Sequence, residues 1–319
     1  ITGTMITMCS NSWIGMWIGL ELNMMSIIPL MSNNKNKMES ESAMKYFIVQ
    51  TMASMIFVSS IIISLPHDNQ MKIQSMITNS AIMTKMGVAP FHYWFPEIME
   101  GLSWLNSTIM LTWQKIAPMT IFMNSNKSLI FNSTVMMTSM LISGVMGVSQ
   151  TNLKKILAYS SVNHSGWMIG VMSTSQPMWT IYWITYSMMT LNITMITNQY
   201  NINNTAQLSE KMNNNKQLKM LFAMNWLSMG GIPPFIGFFP KWIVINQMTN
   251  LSMLTITMLM ISSTLLTMFF YMRLCINSIL ILTTEKTKLT KNKNSQMTFF
   301  INVTTISSLI ITPAIISFI

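Results

Sequence analysis

The sequence predicts an all-α integral membrane protein: a polytopic bundle of about 10–11 transmembrane helices with two inverted repeats, each with a broken helix. Three observations predict this class. Half of the 319 residues are hydrophobic and only 8% are charged, whereas a soluble domain carries about 25% charged residues. Long apolar runs alternate with short polar loops. One motif rich in Gly, Pro and aromatic residues occurs twice.

The apolar runs define the predicted spans. A short run at 1–10 cannot cross a bilayer core that needs about 20 residues, so we expect the first helix to be truncated at its N-terminus. We expect full spans at 13–32, 43–65, 72–93, 105–124, 129–149, 154–173, 177–198, 218–246, 251–282 and 298–319. We interpret 1–319 as a single membrane domain, with repeats at roughly 43–173 and 177–319.

Lysine supports this count, because it concentrates in alternate loops. With the run at 1–10 as the first span, loops after even-numbered spans contain eleven Lys, and loops after odd-numbered spans contain only Lys72 and Lys127. Basic residues favour the cytoplasm-like side of a membrane. The pattern predicts that the N-terminus and the Lys-rich loops face that side.

The repeated motif predicts two broken helices. The segments Pro90–Glu97 and Pro234–Lys241 lie 144 residues apart and share Pro, Phe, an aromatic residue, Phe and Pro in register. Proline removes a helical hydrogen bond, and free backbone groups inside a membrane are tolerated only within protein or next to a hydrated cavity. Interrupted helices in both halves of a chain mark the binding site of many transporters.

Four charged residues fall inside predicted spans or at the breaks, where ionisable groups usually have a function. They are Glu21, Lys85, Lys115 and Lys241. Burial favours the neutral amine of a lysine, and a nearby carboxylate favours the ammonium. If Glu21 approaches Lys85, their separation would therefore control whether Lys85 holds its proton. The alternative for the lysines is that their ammonium groups reach the membrane surface along lipid.

Four further residues have other interpretations: two histidines and two basic residues near the ends of spans. His164 lies in a polar stripe of an otherwise apolar span, so it could relay protons or form hydrogen bonds between helices. His92, beside the first break, is a weaker relay candidate. We interpret Lys45 and Arg273 as anchors at the ends of helices.

The sequence does not indicate a metal or nucleic-acid site. Cys9 and Cys275 are isolated from each other and from the three histidines, whereas zinc and iron–sulfur sites need several closely spaced ligands. Arg273 is the single Arg among 18 basic residues, and nucleic-acid binders usually cluster Arg on one face.

Several of these motifs together resemble the antiporter-like membrane subunits of respiratory complex I, in their animal mitochondrial form. The motifs are Trp17–Asn23, Lys85–His92, Leu111–Pro118, Lys154–Ser161 and Gly230–Trp242. The resemblance implies an antiporter-like fold and proton translocation coupled to NADH oxidation by ubiquinone. It places the proton path on Glu21, Lys85, Lys115 and Lys241, and the polar stripe around His164 adds that histidine as a candidate.

The resemblance also implies where the chain works and with what. We expect it in the mitochondrial inner membrane with its Lys-rich loops in the matrix, among other membrane-arm subunits and membrane lipids. NADH, flavin, iron–sulfur clusters and ubiquinone would lie on other subunits, with no cofactor on this chain. Two alternatives stay open: a stand-alone cation/proton antiporter, and a structural membrane subunit that conducts nothing.

Overall fold

The computed structural model describes residues 1–32, 36–64, 71–125, 128–211 and 216–280, and helices form nearly all of this part. In chain order they are α1 (Thr2–Cys9), α2 (Trp13–Met31), α3 (Lys37–Ser64), α4 (Met71–Met86), α5 (Trp94–Gly101), α6 (Trp104–Leu111), α7 (Ile116–Asn124), α8 (Leu129–Val148), α9 (Leu153–Thr174), α10 (Gln176–Tyr200), α11 (Thr205–Lys211), α12 (Lys216–Gly230), α13 (Phe238–Asn250) and α14 (Leu254–Leu280). A 3₁₀ turn, Trp113–Lys115, joins α6 to α7.

Predicted elements differ from the structure in several places: α3 begins at Lys37, inside the loop predicted at 32–42, and α5 lies between the spans predicted at 72–93 and 105–124. The span predicted at 105–124 is not continuous, because the 3₁₀ turn divides it at Lys115. The loop predicted at 199–217 contains the short helix α11. The loop at 284–297 and the last span at 298–319 lie outside the described residues.

The loops that follow even-numbered predicted spans lie together at one end of the bundle. Two hydrogen bonds and one ion pair connect these loops. They are Leu153 N to Asn203 O (2.8 Å), Asn152 Nδ2 to Glu100 Oε1 (3.1 Å) and Lys155 Nζ to Glu100 Oε2 (2.7 Å). At the opposite end, Gln247 donates to Ser175 Oγ at 2.9 Å, which joins loops after odd-numbered spans. This separation of the loops agrees with the predicted order of crossings over the described chain.

Helix α9 occupies the centre of the bundle. Side chains are buried on all its sides from Ile156 to Met172, and it packs against α5, α8, α10 and α13. Its start is fixed by Asn152, whose side chain accepts a hydrogen bond from Lys154 N at 3.1 Å and so satisfies a free backbone donor of the first turn. A helix buried all round can present polar residues to several neighbours at once.

Four of the described helices are long and apolar enough to cross a membrane by themselves. They are the segments Trp13–Met31, Lys37–Ile63, Leu129–Val148 and Leu254–Ser278. Large apolar side chains on these segments, such as Met55, Ile130 and Leu265, are well exposed on the protein surface. Such surface suits lipid tails as solvent, because it would be unfavourable in water.

Both predicted broken helices are present, and their backbones match. Gly87 and Gly231, 144 residues apart, have φ values of +68° and +82°, a region that glycine adopts without steric strain. Three backbone hydrogen bonds of the first break recur with the same offset in the second. They are Gly87 N to Thr84 O, Phe91 N to Val88 O and Phe95 N to His92 O, matched by Gly231 N to Ser228 O, Phe235 N to Ile232 O and Phe239 N to Ile236 O. The extents of the two repeats stay a prediction.

Close contact between α1 and α2 depends on two glycines. A Cβ atom at Gly19 would lie 2.5 Å from Thr7 Cγ2 and 2.8 Å from Gly3 O. Small residues let membrane helices approach in this way. The contact fixes the helix that carries Glu21.

We predict that Gly19→Ala destabilises the protein by about 1–3 kcal/mol, because the added methyl group meets backbone atoms that cannot move aside. Gly170→Ala on α9 is the control, since the atom nearest its Cβ would be Met248 Cε at 3.0 Å, the movable end of a flexible side chain. Thermal unfolding of the solubilised protein measures both. Equal midpoints for the two variants would contradict a tight α1–α2 contact.

Candidate functional site

Glu21 and Lys85 form an ion pair inside the bundle. Glu21 lies on α2, and Lys85 lies in the last turn of α4, directly before the first break. The Lys85 Nζ to Glu21 Oε1 distance is 3.7 Å, with 4% of the Lys85 side chain and 20% of the Glu21 side chain exposed. A lysine in the last turn also lies in the negative end of the helix dipole. The approach that the sequence only suggested is therefore present.

Lys115 lies at the end of the 3₁₀ turn and is buried. Its ammonium donates to Ser161 O of α9 at 3.1 Å. The same group lies 5.3 Å from the centroid of the Phe95 ring and 5.8 Å from that of Tyr186, within range of cation–π attraction. Among the described residues, no carboxylate forms an ion pair with Lys115. Its charge is balanced by dipoles and ring faces alone.

Lys85 and Lys115 line the same cavity. It has room for at least one water molecule, and it is lined by polar groups of α2, α3 and the 3₁₀ turn. The polar residues in its wall, besides the two lysines, are Asn23, Tyr46, Gln50 and Gln114. The Gln50 amide nitrogen is buried and has no hydrogen-bond partner among the described residues. A polar cavity of this size is suited to ordered water.

His164 lies beyond Lys115, in the middle of α9, and is fully buried. Its Nδ1 is 2.9 Å from the Tyr182 hydroxyl. The His164 ring centroid lies 5.1 Å from that of Tyr186, the residue whose ring also faces Lys115. His164 is close enough to both Lys115 and Lys241 to be affected by their charges. It therefore lies near both lysines.

Lys241 lies in the first turn of α13, directly after the second break, and is buried. Its ammonium donates to Gly230 O at 2.6 Å. Gly230 is the last residue of α12, where carbonyl groups have no partner within the helix. The lysine stem packs on Gly231, where a Cβ atom would lie 2.8 Å from Lys241 Nζ. The break thus supplies both the acceptor and the space.

The other residues noted in the sequence lie outside the set Glu21, Lys85, Lys115, His164 and Lys241, which we call the row. His92 is buried in the first break, with its ring 4.5 Å from that of Tyr93. Lys45 pairs with Glu41 at 2.9 Å on an exposed surface. Arg273 donates to Val148 O and Gln150 O at the end of α8, as expected for an anchor. The described residues contain no group of three or more potential metal ligands.

Several residues that the fold brings to the row were not predicted from the sequence. Tyr182 and Tyr186 are spaced four residues apart on α10, so both face α9, and Asn23 and Gln114 line the cavity. Each of the four has a hydrogen-bonding side chain within a predicted apolar span, which is a sequence signal for a functional residue. This signal does not distinguish them from the many Ser, Thr and Asn residues of the same spans.

Comparison with known proteins places the chain in a family. The sequence profile of the family described as "NADH:quinone oxidoreductase/Mrp antiporter, TM" matches residues 10–267. NADH-ubiquinone oxidoreductase chain 2 of Anopheles gambiae is 40% identical over 305 residues, which cover 93% of this chain and 89% of the relative. The chain belongs to the NADH-ubiquinone oxidoreductase chain 2 family. The Locusta migratoria relative is 39% identical, covering 92% of this chain and 87% of its own length.

Solved structures share the fold of this chain 2 family member at much lower identity. A chain of respiratory complex I from Thermus thermophilus superposes with a TM-score of 0.84 at 18% identity, covering 98% of this chain and 74% of that one. A chain of the Mrp complex from Dietzia gives a TM-score of 0.75 at 14% identity, covering 86% of this chain and 58% of that one. The antiporter-like fold is therefore confirmed.

We predict that Tyr182→Phe slows NADH oxidation coupled to proton translocation by about tenfold, because it removes the hydroxyl that contacts His164 Nδ1. Tyr200→Phe at the end of the same helix is the control and should leave the rate unchanged. The rate is measured in sealed vesicles that contain the assembled complex. Wild-type rates for Tyr182→Phe would show that His164 works without this hydroxyl.

Proposed function

We propose that this chain is the proton-translocating chain 2 subunit of respiratory complex I, and that its protons pass along one row of buried residues. The row consists of Glu21, Lys85, Lys115, His164 and Lys241. The observation that supports it most directly is the polar cavity that Lys85 and Lys115 both line.

The row begins at the ion pair. When Glu21 is close to Lys85, the ammonium is stabilised and holds its proton; when the carboxylate is withdrawn or protonated, burial favours the neutral amine and the proton leaves. Water in the cavity can accept that proton and deliver it to Lys115.

The row continues from Lys115 to the second break. Lys115 has no carboxylate partner among the described residues, so its charged form is less stabilised than that of Lys85 and it can pass a proton onward. The Tyr186 ring lies 5.8 Å from the Lys115 ammonium and 5.1 Å from the His164 ring, so it contacts both residues. At Lys241 the Gly230 carbonyl accepts a hydrogen bond from the ammonium.

The family of the chain supports a proposal for its partners and its location. Structural neighbours of this fold lie in respiratory membrane complexes, and we propose that this chain contacts other membrane-arm subunits and, through its exposed apolar surface, lipid. We further propose the mitochondrial inner membrane as its location, with the Lys-rich end in the matrix. The cofactors of the redox reaction are expected on other subunits.

We predict that Lys115→Ala lowers proton translocation by at least about tenfold while the complex still assembles, since the row loses its central carrier. Lys115→Arg should be equally impaired, because a guanidinium keeps its proton. Lys154→Ala is the matched control: Lys154 is also buried and also donates to a carbonyl, that of Leu102, but it lies outside the row. Proton uptake and NADH oxidation are followed together in sealed vesicles.

The outcomes separate the open alternatives. Wild-type pumping by assembled Lys115→Ala would favour the structural subunit that conducts nothing. Cation-coupled proton exchange by the chain alone, after gentle removal from all partners, would favour the stand-alone antiporter.

A second prediction tests orientation. A cysteine introduced at Asn203, in the exposed loop at the Lys-rich end, should react with an impermeant thiol reagent only from the matrix side. Ser252→Cys, in the exposed loop at the opposite end, is the counterpart and should react only from the other side. Native Cys9 is exposed and is first replaced by Ser. The reverse labelling pattern would contradict the proposed orientation.

A further inference from the structure

Two amide side chains form a reciprocal pair at the boundary between the ion pair and Lys115. Asn23 Nδ2 donates to Gln114 Oε1 at 3.0 Å, and Gln114 Nε2 donates to Asn23 Oδ1 at 3.3 Å. Asn23 follows Glu21 by two residues on α2, and Gln114 directly precedes Lys115 in the 3₁₀ turn. The pair therefore joins the backbone segments that carry Glu21 and Lys115, two residues of the proposed row.

The amide pair also forms part of the cavity wall. Both residues line the cavity that Lys85 and Lys115 also line. A primary amide has two N–H donors and a carbonyl with two lone pairs, so after pairing each amide keeps one N–H and one lone pair for water. Neither amide gains or loses a proton near neutral pH. The pair can orient water but cannot carry the proton itself.

Side chains of the 3₁₀ turn contact two other helices, α9 and α2. The backbone of the turn departs from the α-helical hydrogen-bond pattern, which makes it the least regular part of the α6–α7 segment. The Lys115 ammonium donates to Ser161 O on α9, and the Gln114 amide pairs with Asn23 on α2. The amide pair thus limits how far Lys115 can move from Glu21 and Lys85.

We propose that the Asn23–Gln114 pair is a positioning device that sets the water-filled gap between the Glu21–Lys85 ion pair and Lys115, and so controls the rate of proton passage across it. This inference rests on the proposed proton path and adds two residues to it. Asn23 and Gln114 act through the geometry of the gap and the water in it.

The chain offers a matched control for the pair. Asn106 on α6 donates to Leu30 O on α2 at 2.7 Å, so it also ties α2 to the interrupted helix through one amide. Its contact lies about two helical turns beyond Asn23 along α2, and Asn106 does not line the cavity between the lysines. If the amides matter only for holding helices together, Asn106→Leu should have the same effect as Asn23→Leu.

The experiment uses complex I assembled with variant chains and reconstituted in sealed vesicles. We expect Asn23→Leu and Gln114→Leu to slow coupled proton translocation by about tenfold, as for other small displacements of reacting groups, and to raise the solvent deuterium isotope effect on the rate. Asn106→Leu should match wild type in both measurements. A purely structural role would not change the isotope effect.

An exchange of the two side chains gives a second test that keeps the pair. Gln114→Asn alone leaves two short amides and should be slow, whereas Asn23→Gln with Gln114→Asn restores the combined length and should recover most of the rate. These variants decide the question if the leucine variants fail to assemble. Wild-type rates in assembled Gln114→Asn, an equal defect in Asn106→Leu, or no recovery in the exchanged double variant would overturn the inference.

The proposed function can fail separately. If Lys115→Ala also pumps like wild type, the whole row is wrong. If Lys115→Ala is inactive while every amide variant pumps normally, only the positioning role is wrong.

Discussion

An ammonium group inside a bilayer must find its hydrogen-bond partners within the protein, and the rest of this structure depends on that constraint. Lys85 finds a carboxylate, Lys115 a carbonyl of the central helix and two ring faces, and Lys241 the free carbonyl at the end of a half-helix. Uninterrupted helices have few such acceptors, because their carbonyl groups are used within the helix. Lys241 therefore obtains its acceptor from an interruption, whereas Lys115 shares a carbonyl within α9 and Lys85 relies on the Glu21 carboxylate.

The central position of α9 turns these separate sites into a row. A helix at the surface of the bundle would leave His164 and the Ser161 carbonyl facing lipid, where polar groups are unfavourable. Burial on every side lets α9 offer a carbonyl to Lys115 and a histidine towards Lys241 at once. The same burial excludes bulk water. A proton that moves between residues of the row therefore has to use polar groups and cavities of the protein.

The two breaks were predicted correctly from the sequence, because the covalent structures of proline and glycine themselves favour an interrupted helix. Proline cannot donate a backbone hydrogen bond, and few other residues can replace a glycine with positive φ, so Gly87–Pro90 and Gly231–Pro234 interrupt their helices whatever surrounds them. The interruption at Lys115 was not predicted, although Pro118 is a signal for it. Proline cannot donate a hydrogen bond to the carbonyl of Gln114, four residues earlier, and its ring clashes with that carbonyl.

Composition and spacing by themselves determined the membrane class, the order of crossings, the broken helices and the identity of the buried charges, because hydropathy and backbone chemistry are local properties. Only the tertiary structure decided that Glu21 meets Lys85, that water has room between Lys85 and Lys115, and that two tyrosines of α10 face His164. Those relations join residues from different helices. Their distances follow from how the helices pack, which no local pattern in the sequence records.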